Sequence, residues 1–184
     1  NKNTVKSSRI MKARNNFRSN ESIEEKYGIV LDIDKSPVDV LPNLVESLQE
    51  YQGYIHTTFS HDPKHEKYCY RAYLHVEKPI APKDFETVYL NLVNNNKTLS
   101  ELAEKGVLDM SAKDLCRFYY DFSCPPSRKT AAHCHSLGGV PYVPNTTKNT
   151  QANNLSSNNP DVKTSMSDLM KGVGEGDRHK SCTR

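Results

Sequence analysis

The stretch from Tyr27 to Lys35 constrains the fold more than any other part of this chain. Its apolar residues 29–31 run directly into Asp32 and Asp34, which are separated by a single isoleucine. An apolar run of this kind predicts a strand that becomes deeply buried. Because side chains alternate along a strand, both carboxylates should project from the same face, about 7 Å apart.

Two carboxylates on one face of a buried strand repel each other and are costly to desolvate unless a positive charge lies between them. A divalent cation meets that need, and oxygen ligands favour Mg²⁺ or Mn²⁺. The alternative is a strand that ends in a solvated turn, with Asp32 and Asp34 both in water. The Asp-x-Asp pattern is short, so by itself it leaves both interpretations open.

The core has to come from one part of the chain, because only 35% of the residues are hydrophobic and the mean hydropathy is -0.75. Apolar periodicity is confined to residues 27–143, which predicts a folded domain at 27–145 after a polar lead-in at 1–26. Residues 146–163 are rich in Asn, Ser and Thr, which is typical of a linker. We expect residues 164–184 to begin a further helical segment, and the chain to be the front part of a longer protein.

The charge and the cysteine content of the chain bear on its partners and on its cellular compartment. A formal net charge of +3 tolerates a polyanionic partner without requiring one. Five irregularly spaced cysteines and no signal peptide predict reduced thiols and a cytoplasmic location. No apolar run approaches the ~18 residues that span a bilayer, so we expect no membrane partner.

Strand and helix patterns alternate through the folded part of the chain. The predicted elements are a helix around 40–48, strands at 54–59 and 69–76, a helix from Pro82 to the Asn94–Asn96 run, a helix opened by a capping box at Thr98–Glu101 and ended by Gly106, and a strand at 115–122. This alternation is compatible with an α/β fold in which several strands end in polar residues.

A second group of polar residues follows the strand predicted at 54–59. Ser60 and His61 stand at its end, and Arg71 lies on the next strand. A hydroxyl, an imidazole and a guanidinium could together hold a triphosphate, since the Arg fork meets phosphate oxygens in pairs. The alternative for His61 is a structural or solvated histidine.

A third metal ligand has two candidates. Asp109 follows apolar residues, as Asp32 does, and Asp114 stands three residues before Arg117. Either aspartate could instead cap a helix, which is the default for an isolated Asp near a helix boundary. We favour Asp109.

The cysteines and histidines toward the end of the predicted domain offer two alternatives. The first alternative is a zinc site, although the spacing of these residues matches no strong zinc pattern. Its candidate ligands are Cys116, Cys124, His133, Cys134 and His135. His133 and His135 could also form the His-apolar-His element of a single-strand nicking enzyme, with Tyr142 as the nucleophile.

Several of these segments together resemble the archaeo-eukaryotic primase superfamily, and more narrowly the primase-polymerases of plasmids, phages and other mobile elements. They are the Asp-x-Asp motif at 32–34, the Ser-His pair within Thr58–Pro63 and the run Arg71–Ile80. Asp114–Tyr120, followed by Ser123–Pro125, is similar to an Asp-x-x-Arg…Pro stretch common in these proteins.

The resemblance covers residues 27–145 and implies a fold and a site. The implied fold is α/β, a mixed sheet with flanking helices and an RRM-like half, with the catalytic residues in a cleft between them. In this family acids hold two divalent ions, Mg²⁺ or Mn²⁺. Transferred to this sequence, the metal ligands are Asp32, Asp34 and Asp109, and the nucleotide-binding residues are Ser60, His61, Arg71 and Arg117.

The implied function is template-directed nucleotidyl transfer by a DNA primase or primase-polymerase. The implied partners are a single-stranded DNA template, nucleoside triphosphates and a helicase domain in the same or a partner chain. Residues 175–178 are similar to the opening of the helical segment, PriCT-like, that often precedes the helicase. Two other functions stay open, a nicking replication initiator of the HUH type and a non-catalytic DNA-binding module of a replication protein.

Overall fold

In the computed structural model, which describes residues 11–13, 19–120 and 122–147, five strands form one sheet. The strands are β1 (Met11–Ala13), β2 (Ile23–Ser36), β3 (Gln52–Thr57), β4 (Tyr68–Ile80) and β5 (Cys134–Gly138). Their order across the sheet is β1-β2-β4-β3-β5, and every neighbouring pair is antiparallel. The long strands β2 and β4 are therefore adjacent, and β3 lies on the other side of β4.

The described residues between these strands form three α-helices: α1 (Leu41–Leu48), α2 (Pro82–Asn95) and α3 (Lys97–Glu104). Asn96 caps α3, because its Oδ1 accepts a hydrogen bond from the backbone N–H of Leu99 at 3.1 Å. The capping box predicted at Thr98–Glu101 is wrong, since the N-cap is Asn96, two residues before Thr98. Short 3₁₀ turns lie at Asn20–Ser22, Pro63–His65, Met110–Lys113 and Pro126–Ala131.

One face of the sheet is apolar and packs against the helices. Ile29, Leu31 and Ile33 are fully buried there. They share one core with these residues of α1, α2 and α3: Leu44, Leu48, Phe85, Val88, Tyr89, Leu92, Leu99 and Leu102. Burial of each such side chain contributes about 1.5–3 kcal/mol. The core therefore fixes the register of β2, because a slip of one residue would turn Asp32 and Asp34 into the apolar layer.

The predicted α/β class is confirmed in its coarse form, a sheet with several helices. The mixed sheet is not what is found: parallel pairing among the described residues is limited to two single bridges, Tyr51 with Val140 and Val76 with Tyr142. The strand predicted at 115–122 is wrong, since its described residues are irregular. Strand β5, which no sequence pattern predicted, forms an edge of the sheet instead.

The sheet also reaches into the segment predicted as a lead-in at 1–26, because β2 begins at Ile23 and β1 pairs with it. Most of the predicted linker and all of the helical segment predicted at 164–184 lie outside the described residues. Within the described part of the chain, each helix is too short or too polar to cross a membrane.

Candidate functional site

A row of polar side chains crosses the sheet on the face opposite the helices, which we call the polar face. The strand register sets Asp32 on β2 opposite Arg71 on β4, Arg71 opposite His56 on β3, and His56 opposite Cys134 on β5. Residues directly opposite on neighbouring strands project from the same face. The four side chains of this row are therefore neighbours in the sheet, although they are far apart in the sequence.

A cleft of about 490 Å³ opens over this row. Its lining residues are Asp32, Asp34, His56, Thr58, Phe59, Ser60, Arg71, Tyr120 and Ser123. Both aspartates of the Asp-x-Asp motif line it, as the alternation of side chains along a strand predicts. The structure thus brings together four of the residues that the sequence nominated: Asp32, Asp34, Ser60 and Arg71.

Asp32 and Arg71 form a forked ion pair within the cleft. The Arg71 Nε donates to Asp32 Oδ1 at 3.1 Å, and Nη2 donates to both carboxylate oxygens at 3.0 Å. The two side chains are 14% and 16% exposed, so water screens this pair only partly. The remaining Nη1 donates to the backbone carbonyl of Tyr120 at 3.1 Å, and the guanidinium lies over the Tyr119 ring at 4.9 Å.

Asp34 is held more loosely than Asp32. It is exposed, and its Oδ1 accepts a weak hydrogen bond from the Cys69 thiol at 3.6 Å. The same sulfur accepts a hydrogen bond from the backbone N–H of Lys35 at 3.3 Å, and Lys35 has a left-handed φ of 54°. Burial raises the pKa of the Cys69 thiol, with the Asp34 charge adding to this. Cys69 is therefore a neutral thiol that leaves the Asp34 carboxylate available to a ligand.

Asp109 lies directly opposite Asp32. Ile33 and Leu108 form an antiparallel bridge, the Asp109 N–H donates to the Asp32 carbonyl at 2.8 Å, and the Asp34 N–H donates to the Val107 carbonyl at 2.9 Å. This backbone pairing sets Asp109 beside Asp32, although Asp109 is not among the residues that line the cleft. The short segment after α3 thus extends the sheet beside the end of β2.

The Asp109 carboxylate has its own partners. Its Oδ1 accepts hydrogen bonds from the N–H and hydroxyl of Ser111 at 2.9 and 2.7 Å, and its Oδ2 pairs with Arg117 Nη2 at 2.7 Å. Burial works to raise the pKa of Asp109, but the Ser111 hydrogen bonds and the Arg117 charge outweigh it and lower that pKa. Asp109 is therefore ionised at neutral pH, and Arg117 is bound to it rather than lining the cleft.

The rival third acid, Asp114, has different surroundings. Its carboxylate accepts weak hydrogen bonds from the Cys116 thiol at 3.7 and 3.8 Å. Burial lowers the pKa of the nearby Lys26 to about 8, and the charge of Asp114 partly offsets this. The pairing with β2 favours Asp109 over Asp114 as the acid next to the Asp-x-Asp motif.

Ser60 lines the cleft, whereas His61 lies behind it. His61 is 4% exposed, and its Nδ1 accepts a hydrogen bond from the Cys69 N–H at 3.2 Å. Its ring packs near Tyr70 and His133, with centroids 5.0 and 5.9 Å away. Burial is the largest cause of a lowered His61 pKa, although the Cys69 hydrogen bond opposes it. The imidazole is therefore neutral at pH 7 and supports the Ser60 loop from inside.

Sequence reasoning missed His56, which lies next to Arg71 in the row. It is 4% exposed, its Nδ1 is 2.8 Å from the Thr57 carbonyl, and Phe122 packs edge-on against its ring. The alternation within β3 places His56 on the face opposite Ile55, but only the pairing of β3 with β4 shows that this face also carries Asp32. Tyr120 was missed because its backbone, not its side chain, binds Arg71.

The residues of the two alternative sites are not among those that line this cleft, although Cys134 lies next to His56 in the row. Tyr142 is buried with its ring 5.4 Å from that of Tyr51, and burial raises its pKa. Among the residues that the structure describes, no group of three or more His, Cys, Asp or Glu side chains converges on a point where a metal would sit. Neither the residues around Cys124 nor Asp32, Asp34 and Asp109, in the ion pairs and hydrogen bonds described above, form such a group.

The donor set of the acids nevertheless suits a hard cation. Asp32, Asp34 and Asp109 offer carboxylate oxygens, which Mg²⁺ and Mn²⁺ prefer, and the thiol of Cys69 beside Asp34 is buried and neutral. Convergence of the acids on a cation would require the Asp32 carboxylate to leave Arg71 and the Asp109 carboxylate to leave Arg117.

Comparisons of the chain with protein-family models, with curated proteins and with solved structures found no match.

Proposed function

We propose that this chain catalyses template-directed nucleotidyl transfer in the cleft on the polar face, as a DNA primase or primase-polymerase in the replication of a plasmid, phage or other mobile element. The observation that supports this most is the pairing of Asp109 with Asp32 beside the Asp-x-Asp motif. Asp109 also caps the 3₁₀ turn Met110–Lys113 through Ser111, and the proposal adds metal binding to that role. The family's catalytic core and its RRM-like half are part of this proposal.

The acids would hold the metal ions, and the cleft would hold the nucleotide. Asp32, Asp34 and Asp109 would bind Mg²⁺ or Mn²⁺, which would activate the attacking 3′-hydroxyl and neutralise charge on the triphosphate. Ser60 and Arg71 face the same cleft and would orient the phosphates through a hydroxyl and a guanidinium fork. Catalysis of this kind rests on positioning and charge, so it requires no unusual acid or base.

Exposed aromatic side chains support a single-stranded DNA template as the partner. Phe59 and Tyr120 line the cleft and are 58% and 78% exposed, and Phe122 is 47% exposed beside His56. Aromatic rings in such positions stack on unpaired bases, at about 1–3 kcal/mol per base. Large rings left in water at a cleft mouth are otherwise unfavourable, which favours a ligand with flat apolar faces.

A synthesis assay tests the proposal directly. The full chain is incubated with a single-stranded template, Mn²⁺ or Mg²⁺ and labelled nucleotides, beside Asp34→Asn and a control variant, Glu46→Gln. Asp34 is exposed and weakly bonded, so its substitution should abolish synthesis without changing the circular dichroism spectrum. Glu46 is an exposed acid on α1, and its variant should retain full activity while losing the same charge.

Each outcome decides between functions. New oligonucleotides that depend on Asp34 and on the metal support a primase-polymerase. A covalent protein–DNA adduct would instead identify a nicking enzyme. DNA binding that is equal in wild type and Asp34→Asn, with no synthesis in either, would identify a non-catalytic module and refute the proposal.

A further inference from the structure

Asp32 is bound more firmly than the other acid of its motif, because Arg71 pairs with its carboxylate. Both carboxylate oxygens of Asp32 accept hydrogen bonds from the guanidinium, one of them twice, at 3.0–3.1 Å. Arg is protonated at every accessible pH, so proton loss cannot release this pair. Among the residues that the structure describes, the side-chain partner of Asp34, two residues along the same strand, is the Cys69 thiol at 3.6 Å. The two acids of one motif therefore differ in whether their oxygens are available.

We propose that Arg71 is an exchangeable countercharge, which pairs with Asp32 until a divalent cation and a triphosphate bind together and then moves to the phosphates. This inference rests on the proposed function and adds to it a thermodynamic coupling: the cation and the nucleotide each strengthen the binding of the other. The mechanism is an exchange of one ion pair for two, Asp32 with the cation and Arg71 with the triphosphate.

Charge balance is the physical reason for the coupling. A cation that binds Asp32 alone has to displace the guanidinium and leave two positive groups together in a site where both side chains are mostly buried. A triphosphate that binds Arg71 alone leaves the Asp32 carboxylate unpaired beside a polyanion. When both ligands are present, each displaced charge has a partner, so neither cost arises.

The cleft gives the guanidinium somewhere to go. Arg71 lies between Asp32 and His56 in the row, and the lining on the far side of it includes Ser60 and Thr58. Movement of the Arg71 side chain toward Ser60, which lines the same cleft, would exchange its hydrogen bonds to Asp32 and to the Tyr120 carbonyl for contacts with the phosphates. Arg128 at the same edge is held differently, since it donates to the His61 carbonyl at 2.7 Å and pairs with Asp62 at 3.5 Å.

The test measures binding, not synthesis. Calorimetry measures ligand binding to four full-length proteins: wild type, Arg71→Ala, Arg71→Lys and Asp32→Asn. Each is titrated with Mn²⁺ alone and with a deoxynucleoside triphosphate analogue that cannot be hydrolysed between its α and β phosphates. The titration with the analogue is done both with and without Mn²⁺. In wild type we expect Mn²⁺ to tighten analogue binding by about fivefold to 150-fold, the usual range of such couplings. Arg128→Ala is the matched control, an arginine paired with an acid outside the row, and its Mn²⁺ affinity should equal that of wild type.

Two variants should bind one ligand more tightly than wild type does. Arg71→Ala should bind Mn²⁺ alone more tightly, because Asp32 is then already free. Asp32→Asn should bind the analogue more tightly in the absence of metal, because Arg71 is then already free. A merely structural ion pair would weaken both, and Arg71→Lys should lie between wild type and Arg71→Ala because a single ammonium cannot form the fork.

The outcomes separate this inference from the proposed function. If wild type synthesises DNA but neither variant gains affinity, the countercharge role is refuted and the polymerase proposal stands. If Mn²⁺ and the analogue bind to none of the folded proteins, the proposed function fails together with this inference. Circular dichroism of each variant verifies folding, and Arg71→Lys, which keeps the charge, decides the question if Arg71→Ala does not fold.

Discussion

The buried hydroxyl of Tyr89 allows a sharp test of the packing under the site. Tyr89 on α2 is fully buried, and its hydroxyl has no hydrogen-bond partner among the described residues. A buried polar group without a partner costs about 1–3 kcal/mol. Tyr89→Phe removes only that oxygen, so it should raise the free energy of unfolding by about 1 kcal/mol. Urea unfolding followed by far-UV circular dichroism suits this chain, which contains no tryptophan.

Tyr70 is the matched control for this substitution. It is 1% exposed, and its hydroxyl donates to Asp39 Oδ1 at 2.6 Å. A hydrogen bond to a charged group contributes about 1.5–3 kcal/mol, and water can replace part of it because Asp39 is exposed. Tyr70→Phe should therefore lower stability by about 1–2 kcal/mol. With a urea slope of about 2 kcal/mol per molar, the two midpoints should differ by about 1 M. Equal losses in both variants would refute the assignment of an unpaired Tyr89 hydroxyl.

Three further predictions concern a cap, a histidine and the third acid. Asn96→Ala removes the hydrogen bond to the Leu99 N–H and should cost about 1 kcal/mol in the same urea assay; no loss would contradict the cap. Burial lowers the His61 pKa below 6.5, so just below that pH the unfolded chain binds more protons than the folded protein. The free energy of unfolding should therefore fall as the pH drops below 6.5, and His61→Gln should make it less dependent on pH. An unchanged pH dependence in the variant would assign the effect to another group. Asp109→Asn should abolish nucleotide incorporation while Asp114→Asn retains it, and the reverse result would exchange their roles.

The predictions that succeeded are those that depend on local periodicity. Alternation along a single strand is enough to place Asp32 and Asp34 on one face, and both line the cleft. The apolar spacing of α1 and α2 likewise needs only the 3.6-residue repeat, and both helices are found within a few residues of where they were expected. In each case the information lies within a short window of the sequence.

The features that sequence reasoning missed depend on which strands pair. His56 joins Asp32 only through β4, and no local pattern shows that β3 and β2 flank the same strand. The aromatic residues 118–120 suggested a strand by composition, but the Tyr119 ring lies under Arg71 and the Tyr120 carbonyl binds it. Strand β5 is polar and short, so the tertiary pairing with β3 decides its conformation, not intrinsic propensity.

The turn after α3 determines where Asp109 lies relative to β2. Gly106 has a φ of +66°, and the carbonyl of Leu102 accepts hydrogen bonds from both Val107 and Leu108, so the last turn of a helix delivers Asp109 to β2. Under the proposed function, a smaller side chain at Leu102 or a β-branched residue at Gly106 would displace Asp109 and abolish synthesis while all three proposed ligands remained in the sequence. A screen of random variants for loss of synthesis should therefore recover substitutions at Leu102 and Gly106 as well as at the aspartates.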